Sequence, residues 1–252
     1  MRPSETTSIQ LYSTRMIEPL EAQFDLLASL GFKSVEPWGG LLADAPRLKD
    51  NLTRHGMQAP SAHVGMPSLR SDAAGMARTC RELGITTMYA PAPPPDERDK
   101  DAAGWRAFGK ELAAIGKVVT GEGMRFGWHN HHFEFKKTAD GTFPMDILLS
   151  EAPEMLWEVD VSWVVRGGED PVAWLKRYGS RIEACHIKDI AAPGTCLDED
   201  GWADVGHGTM DWPSLISTMR GIGVKLFVLE HDKPSDASRF VRRSMATLAT
   251  WN

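Results

Sequence analysis

The sequence is poor in the features that mark secreted proteins. Its 252 residues include three cysteines, Cys80, Cys185 and Cys196, and no two of them form a CxxC pair. A disulfide framework is therefore not expected, and a reducing compartment is the natural environment for the chain. Residues 1–10 contain no apolar run of signal-peptide length, so the sequence predicts a cytoplasmic protein.

Long apolar runs and an excess of positive charge are also missing. No segment approaches the roughly 18 consecutive apolar residues of a membrane-spanning helix, so no membrane partner is expected. The formal net charge is −6, with 28 Lys and Arg against 34 Asp and Glu. Proteins that bind phosphate backbones usually carry a clustered basic surface, so nucleic acid is not expected as a partner either.

Eight short apolar or β-branched segments recur along the chain, with helix-like stretches between them. The segments are 8–12, 33–36, 59–64, 86–90, 125–129, 155–160, 182–187 and 225–230. Helical spacing of apolar residues is present in 17–30, 73–83, 105–119 and 213–219. Alternating strands and helices indicate parallel strands joined by crossover helices. We therefore predict an α/β protein with one (β/α)₈ TIM-barrel domain over residues 1–252, a length typical of that fold.

Acidic residues and histidines follow the predicted strands. In a TIM barrel the carboxyl ends of the strands form the active site, so these side chains are the candidates for chemistry. They include Glu36, His63, His129, His131, Glu134, Asp160, His186 and Glu230. Nitrogen and oxygen donors converging from several strands suit one divalent metal ion. Mn²⁺ is the first expectation, and Co²⁺, Zn²⁺, Fe²⁺ and Mg²⁺ are the alternatives.

Each of these residues also has an ordinary structural interpretation. A single histidine at a strand end is more often a hydrogen-bonded structural residue than a ligand, and an aspartate there often caps the next helix. Asp160 and Glu230 are harder to explain in this way, because each closes an apolar segment and a buried carboxylate needs a partner. The convergence of several such residues carries more weight than any one of them.

Six segments of the chain resemble the sugar phosphate isomerase/epimerase family, the xylose isomerase-like TIM barrels. They are SIQLYSTR (8–15), GWHNHHFEF (127–135), EVDVSWVVRGGEDPVAWLKRY (158–178), ACHIKD (184–189), DVGHGTMDW (204–212) and VLEHDKP (228–234). The resemblance extends over nearly the whole chain, and HNHxFEF together with the later HIKD is typical of one branch of the family. It implies a small sugar-like substrate.

The resemblance also implies one divalent metal ion held by residues from strands five to eight. Asp160, His186 and Glu230 stand at the matching positions of strands six, seven and eight. Lys188 is expected to hold a substrate oxygen or to stabilise negative charge on it. Further substrate contacts are expected from Glu36, His63, His129, Trp163 and His207.

The strand-five ligand departs from the family pattern. Sugar epimerases of the family have a glutamate directly at that strand end, where this sequence has histidine, His129. Either Glu134 folds back onto the metal, or His129 or His131 replaces it. We favour Glu134, because a carboxylate helps to neutralise the cation. Glu230 then stands on one face of the substrate as an acid/base group, with Glu134 or His131 on the other.

Two functions follow from this set of residues. The first is a metal-dependent isomerase or epimerase that abstracts a proton next to the carbonyl of a ketose or keto-sugar. The second is a lyase or dehydratase that uses the same site on an inosose or a 3-keto-glycoside.

Two other classes are less well supported by the sequence. An abasic-site endonuclease shares the barrel but needs a metal cluster and a basic groove, which a net charge of −6 disfavours. A non-catalytic sugar-binding barrel would leave the ligand residues without a role. A homo-oligomer is compatible with the sequence.

Overall fold

A computed structural model describes residues 7–251, and these residues form nine strands. The strands are β1 Thr7–Ile9, β2 Ser61–His63, β3 Thr87–Ala90, β4 Arg125–His129, β5 Leu156–Asp160, β6 Ile182–Ile187, β7 Asp189–Ile190, β8 Trp202–Ala203 and β9 Leu226–Leu229. Seven of them make one parallel sheet in the order β1-β9-β6-β5-β4-β3-β2. The fold is a single α/β domain of the TIM-barrel type, as the sequence predicts.

The second predicted strand, 33–36, is the place where the observed barrel departs from eight regular strands. This segment is joined to its neighbours by isolated parallel bridges, Gln10 with Glu36, Ser34 with Gln58 and Trp38 with His63. These bridges connect the β1 and β2 edges of the sheet. Pro37 follows Glu36 directly, and proline has no N–H to continue a ladder, which accounts for the short pairing.

Ten helices connect the strands within the described residues. They are α1 Leu20–Ser29, α2 Gly39–Leu42, α3 Ala45–His55, α4 Met66–Glu82, α5 Ala102–Gly121, α6 Pro144–Glu151, α7 Val161–Arg166, α8 Pro171–Tyr178, α9 Trp212–Gly221 and α10 Ala237–Leu248. The four stretches with predicted helical spacing fall on α1, α4, α5 and α9. None of these helices is both long enough and apolar enough to cross a membrane.

The strands alternate between an outer apolar face and an inner polar face, as β5 illustrates. Trp157 lies among aromatic rings of the helical layer, including Trp174 and Tyr178. Glu158 and Asp160 point the other way, Glu158 towards His129 and His186 of the two neighbouring strands and Asp160 towards Lys188. Because successive side chains of a strand point to opposite faces, this one segment supplies both core packing and chemistry.

A small hairpin stands above the carboxyl end of the barrel. β7 and β8 pair in antiparallel fashion, and the chain between them contains a short 3₁₀ turn, Leu197–Glu199. Glu199 and Asp204, both buried, accept hydrogen bonds from Arg239 of α10. The hairpin is therefore fixed to the last helix.

Candidate functional site

The carboxyl ends of five strands bring their polar side chains together. His63 ends β2, His129 ends β4 and Asp160 ends β5, while His186 belongs to β6 and Glu230 follows β9. All five side chains are buried. A cavity of about 670 Å³ opens beside them, and its walls include Gln10, His63, His129, His131, Glu230 and Asp232.

Four of these residues form what we call the outer group: His129, Asp160, His186 and Glu230. One potential ligand atom from each lies within 4.8 Å of those of the others. The set contains Asp160, His186 and Glu230, which the resemblance predicts as ligands, and it has His129 as its fourth member. One oxygen of Asp160 also caps α7 by accepting from the backbone N–H groups of Ser162 and Trp163, at 2.9 and 3.0 Å.

Lys188 lies against the outer group and is fully buried. Its Nζ is 3.0 Å from Asp160 Oδ2, 2.7 Å from Glu230 Oε2 and 2.9 Å from Asp232 Oδ2. Its Nζ also lies 5.0 Å from the ring centre of Trp163 and 4.8 Å from that of Trp202. Burial disfavours the charged ammonium, but the three carboxylates outweigh burial and raise the pKa of Lys188. Lys188 is therefore a fixed positive charge.

A second set, which we call the inner group, consists of His63, His129, Glu158 and His186. Glu158 Oε2 is 2.6 Å from His63 Nε2, 3.2 Å from His129 Nδ1 and 3.2 Å from His186 Nε2. Three imidazole nitrogens thus surround one carboxylate oxygen. Burial tends to raise the pKa of Glu158, but His186 and His63 outweigh burial and hold it well below its ordinary value.

Glu36 is buried beside the inner group. Its Oε1 lies 2.9 Å from His186 Nε2 and accepts a hydrogen bond from Gln10 Nε2 at 2.8 Å, while Oε2 accepts one from Ser61. Burial and the nearby charge of Glu158 raise its pKa. Since Glu36 is fully buried against His186, it is placed to orient that ring; the predicted contact with substrate remains a prediction.

Glu230 is ready to act as a base. Burial tends to raise its pKa, but Lys188 and His186 outweigh burial and hold it well below the ordinary value. Its Oε2 lies 2.8 Å from His186 Nδ1. A carboxylate that stays ionised and lines the cavity can accept a proton from a bound substrate.

His129 and His131, which line the cavity, are neutral at physiological pH. Burial, and then the neighbouring His186, lower the pKa of His129 to about 4. Burial also holds the pKa of His131 well below its ordinary value. The centre of the His131 ring lies 5.3 Å from that of the half-buried Trp163.

The structure does not bring Glu134 to either group. After β4 the chain makes a 3₁₀ turn, Phe133–Phe135, which directs the Glu134 side chain back along the outer face of the strand. There it accepts hydrogen bonds from Trp128 Nε1 at 3.1 Å and from the His131 N–H at 2.9 Å. Burial raises its pKa to about 8. His129 occupies the strand-end position instead.

His207 also lies apart from both groups. It is exposed on the loop after β8, and its Nδ1 accepts a hydrogen bond from Arg243 of α10 at 2.9 Å. The loop itself is held by Asp189, whose carboxylate accepts from the N–H groups of Gly206, Gly208 and Met210. These contacts anchor the loop and hold His207 away from the two groups, so its predicted contact with substrate remains a prediction.

Two further residues of the site are not given a catalytic, ligand or substrate-binding role from the sequence. Glu158 precedes Asp160 by two positions on the same strand, so strand periodicity alone places both on the inner face. Asp232 follows Glu230 by two positions and lines the cavity. Burial raises the pKa of Asp232 to about 6, against the opposing effect of Lys188.

Comparison with known proteins gives the family and a set of relatives. The family model described as xylose isomerase-like TIM barrel matches residues 24–251. The chain is 32% identical over 90 residues to an inosose dehydratase of Clostridium beijerinckii, an alignment covering 35% of this chain and 29% of that protein. It is 25% identical over 187 residues to an inosose dehydratase of Geobacillus kaustophilus, covering 65% and 60%. Each alignment spans less than two thirds of the relative's length.

Solved structures share the fold over almost the entire chain. A sugar phosphate isomerase/epimerase of Parabacteroides distasonis superposes with a TM-score of 0.80 at 22% identity, covering 97% of this chain and 94% of that one. The probable 3-DHS dehydratase of Bacillus anthracis gives 0.78 at 15% identity, covering 98% and 100%. The IOLI protein with a bound zinc atom gives 0.77 at 15%, covering 97% and 98%. The chain belongs to the xylose isomerase-like TIM barrel family.

Proposed function

We propose that the protein is a metal-dependent lyase that removes water from a polyhydroxylated ketone of the inosose type. The observation that carries the proposal is Glu230, an ionised carboxylate at a strand end that lines the cavity. The names of two relatives, both inosose dehydratases, support the choice of elimination over isomerisation. This ranks the lyase above the isomerase or epimerase that the sequence placed first.

The residues of the site fit a divalent metal ion. Carboxylates outnumber lysine at the site, because Lys188 faces the buried Asp160 and Glu230 and the partly exposed Asp232, while Glu36 and Glu158 are buried nearby. Within residues 7–251, Glu158 Oε1 is buried without a hydrogen-bond partner. His129 and His186 would hold the ion together with a carboxylate of the inner or the outer group. When bound, a divalent ion polarises a carbonyl and stabilises an enolate.

The residues of the chain supply the proton transfers. Glu230 takes the proton from the carbon next to the carbonyl, and the electrons of that C–H bond form the enolate. Expulsion of the β-hydroxyl then breaks the C–O bond and leaves a carbon–carbon double bond. Asp232 lines the cavity and contacts Lys188, so it is placed to give the departing hydroxyl a proton and release water. Lys188 holds both carboxylates in position.

An isomerase or epimerase is the second candidate, and the histidines of β4 are the observation that favours it. Returning the proton to the other face of the enolate needs a second acid/base group across the cavity. His129 and His131 line the cavity on the β4 side, while Glu230 lines it from β9. β4 and β9 are three strands apart in the sheet. A glutamate in that role is not supported by the position of Glu134.

A substrate panel in D₂O distinguishes these functions. Inososes, ketoses and 3-keto-glycosides are incubated with protein loaded with Mn²⁺, Zn²⁺ or Co²⁺, and products are identified by NMR. We expect an unsaturated ketone from an inosose. Exchange or epimerisation without elimination supports the second candidate, and release of an aglycone identifies a glycoside lyase. Failure to exchange an α-hydrogen in any substrate, by metal-loaded protein, would overturn the proposal.

Two further expectations belong to the same proposal. Metal analysis should find about one divalent ion per chain, and exhaustive chelation should abolish activity. An abasic DNA duplex should be neither bound nor cut at physiological salt, because the chain is acidic. Incision that disappears in an Asp160→Ala variant would contradict the expected partner class, a small-molecule sugar.

A further inference from the structure

Arg15 is a cation on the cavity wall that pairs with no carboxylate among the described residues. It follows the 3₁₀ turn Leu11–Thr14, which comes shortly after β1, and it lines the cavity together with the base Glu230. Lys233 lines the same cavity, but its Nζ pairs with Asp200 Oδ1 at 3.0 Å. The positive charge of Arg15 is therefore available to a bound molecule.

The guanidinium is held in place by backbone carbonyls and by an aromatic ring. Nη1 donates to the carbonyl of Tyr12 at 2.6 Å, and Nη2 donates to that of Asp232 at 3.0 Å. Cζ of Arg15 lies 3.7 Å from the centre of the Tyr12 ring, which packs edge-on against Trp38 at 5.5 Å. A cation over an aromatic face is attracted to the ring without losing its charge. These contacts fix the position of the guanidinium and leave its charge unneutralised.

Several N–H groups of Arg15 are left for a ligand. A guanidinium has five N–H donors in one plane, and the carbonyls of Tyr12 and Asp232 take one each. Within residues 7–251, the remaining donors have no acceptor. A carboxylate accepts two parallel hydrogen bonds from such a planar group, and these charge-assisted bonds are about twice as strong as neutral ones. The remaining donors of Arg15 are thus suited to a carboxylate.

Arg15 and the proposed base stand on the same side of the cavity. Nη2 bonds to the carbonyl of Asp232, which follows Glu230 by two positions. A second link joins the same two loops, because the N–H of His231 donates to Ser13 Oγ at 2.9 Å. The loop after β1 is therefore tied to the loop after β9. A group bound to Arg15 lies on the side of the substrate from which Glu230 takes the proton.

The charges of the wall favour one negative charge on the ligand rather than two. Of the arginine and lysine residues that the described chain places on this wall, Arg15 alone lacks a counter-charge. The wall also carries the carboxylates of Asp200, Glu230 and Asp232, which repel an anion. A phosphate monoester carries a charge of about −1.5 to −2 at pH 7, more than one guanidinium can balance. A carboxylate is the better match.

We propose that Arg15 selects substrates that carry a carboxylate, so that the substrate is a polyhydroxylated ketone of the inosose type with an acidic substituent. The inference rests on the proposed function, since it concerns the substrate of the same site. A neutral inosose leaves the guanidinium without a partner and should react more slowly. Arg15 is a specificity residue: it binds the substituent, and the proton transfers stay with Glu230 and Asp232.

Matched ring ketones test this preference in the metal-loaded wild-type protein. The probes are a polyhydroxylated cyclohexanone with one carboxylate, the carboxamide of the same compound and its phosphate-bearing analogue. kcat/KM for exchange of the α-hydrogen with D₂O is measured by NMR. We expect the value for the carboxylate to exceed that for the carboxamide by about 10–100-fold, the factor for a hydrogen bond to a charged group. Equal values would overturn the proposal, and a phosphate preferred to the carboxylate would overturn the acidic group assigned.

Two variants of the cavity wall separate charge recognition from a structural role. Arg15→Gln removes the charge and keeps amide N–H groups for the backbone carbonyls, while Lys233→Gln removes the cation that Asp200 already neutralises. We expect Arg15→Gln to accept the carboxylate and the carboxamide equally well, and Lys233→Gln to keep the preference for the carboxylate. If Arg15→Gln lowered kcat/KM by the same factor for both compounds, the role of Arg15 would be structural and the proposal would be wrong.

Calorimetric binding measurements separate this inference from the proposed function. If the wild-type protein exchanges the α-hydrogen of a neutral inosose as fast as that of the carboxylate compound, the inference fails and the function stands. If no ketone is exchanged, but the carboxylate compound binds the wild type about 10–100-fold more tightly than it binds Arg15→Gln, the function fails and the contact with Arg15 stands. Circular dichroism confirms that both variants are folded.

Discussion

Ion pairs at the two ends of the barrel have the same chemistry but different surroundings. At the carboxyl end, Lys188 contacts three carboxylates and is 0% exposed. At the amino end, Arg125 at the start of β4 pairs with Glu183 of β6, and their side chains are 51% and 28% exposed. Exposed pairs contribute about 0–1 kcal/mol, whereas removing one partner of a buried pair costs about 3–5 kcal/mol.

The difference shows where this fold concentrates its electrostatic energy. Water screens the pair at the amino end, so it can change with little effect. At the carboxyl end, charges are held together by one another and by the aromatic rings of Trp163 and Trp202. A group of buried charges is useful for chemistry because its fields act on a substrate without screening by water.

Replacing the proposed base should have the largest effect. Glu230→Gln keeps the size of the side chain but cannot accept the substrate proton, and loss of one acid/base group costs about 10²–10⁴-fold in rate. Exchange of the α-hydrogen with D₂O, followed by NMR, should fall by that factor while substrate still binds. Glu183→Gln at the amino end is the control and should exchange at the wild-type rate. If Glu230→Gln exchanged the α-hydrogen at the wild-type rate, the base would be a different residue.

Replacing Lys188, which carries the buried ammonium, should have the next largest effect. Lys188→Met preserves much of the side-chain volume but leaves Asp160, Glu230 and Asp232 close together without their counter-charge. We expect the free energy of unfolding to fall by about 3–5 kcal/mol at neutral pH, measured by urea denaturation. If the free energy of unfolding fell by less than about 1 kcal/mol, as it does at an exposed pair, the buried ion pairs at the carboxyl end would be no stronger than the exposed pair at the amino end.

A smaller and pH-dependent effect is expected at Glu134. Its pKa in the folded protein is raised to about 8 from 4.5, so the folded state holds the proton more tightly than the unfolded chain does. The stabilising contribution is fully present below about pH 4.5 and is lost as the pH rises through about 8.

Glu134→Gln should therefore flatten the fall in stability over this window. It should also cost about 1–3 kcal/mol at low pH, because Trp128 and His131 donate to different carboxyl oxygens and the amide nitrogen that replaces one of these oxygens cannot accept. Melting curves from pH 5 to 9 measure both effects. A loss of substrate exchange as large as that of Glu230→Gln would instead support the acid/base role predicted from the sequence.

The smallest effect is expected at the amino end. Arg125→Met removes the exposed pair with Glu183 and should change the free energy of unfolding by no more than about 1 kcal/mol. It is also the matched control for Lys188→Met, since both replace a cation with methionine. Raising the ionic strength should narrow the difference between wild type and Arg125→Met, because salt screens exposed charges. A loss of several kcal/mol would place Arg125 among the structurally essential charges.

Most of the fold follows from the sequence, because its periodicities are local. The apolar segments and the helical stretches such as 105–119 report burial directly, so the barrel is predicted correctly. The segment 33–36 is the exception. Its four residues, KSVE, include one apolar side chain, and Pro37 ends its pairing. Its remaining bridges run to distant parts of the chain, which no local pattern reveals.

The site is only partly predictable. Strand ends identify Asp160, His186 and Glu230 as neighbours, because parallel strands end at one edge. Glu134 is different, since its direction depends on a turn of three residues after β4 and on a hydrogen bond from the indole of Trp128. The two-residue period of β5 places Glu158 on the same face as Asp160, but Glu158 lies one level below the strand end, where the sequence predicts the chemistry.

The imidazole ring of His186 has a consequence for how protons are distributed. A neutral imidazole has one N–H, and only one tautomer exists at a time. Both ring nitrogens face carboxylate oxygens, Glu230 at 2.8 Å and Glu36 at 2.9 Å. One of the two carboxylates therefore receives no hydrogen bond from this ring unless the ring carries a second proton or a cation takes its place. The ring of His186 thus connects Glu230 on one side with Glu36 on the other. The nitrogen-15 chemical shifts of this one residue should therefore report on which of the two sides a cation or proton is bound.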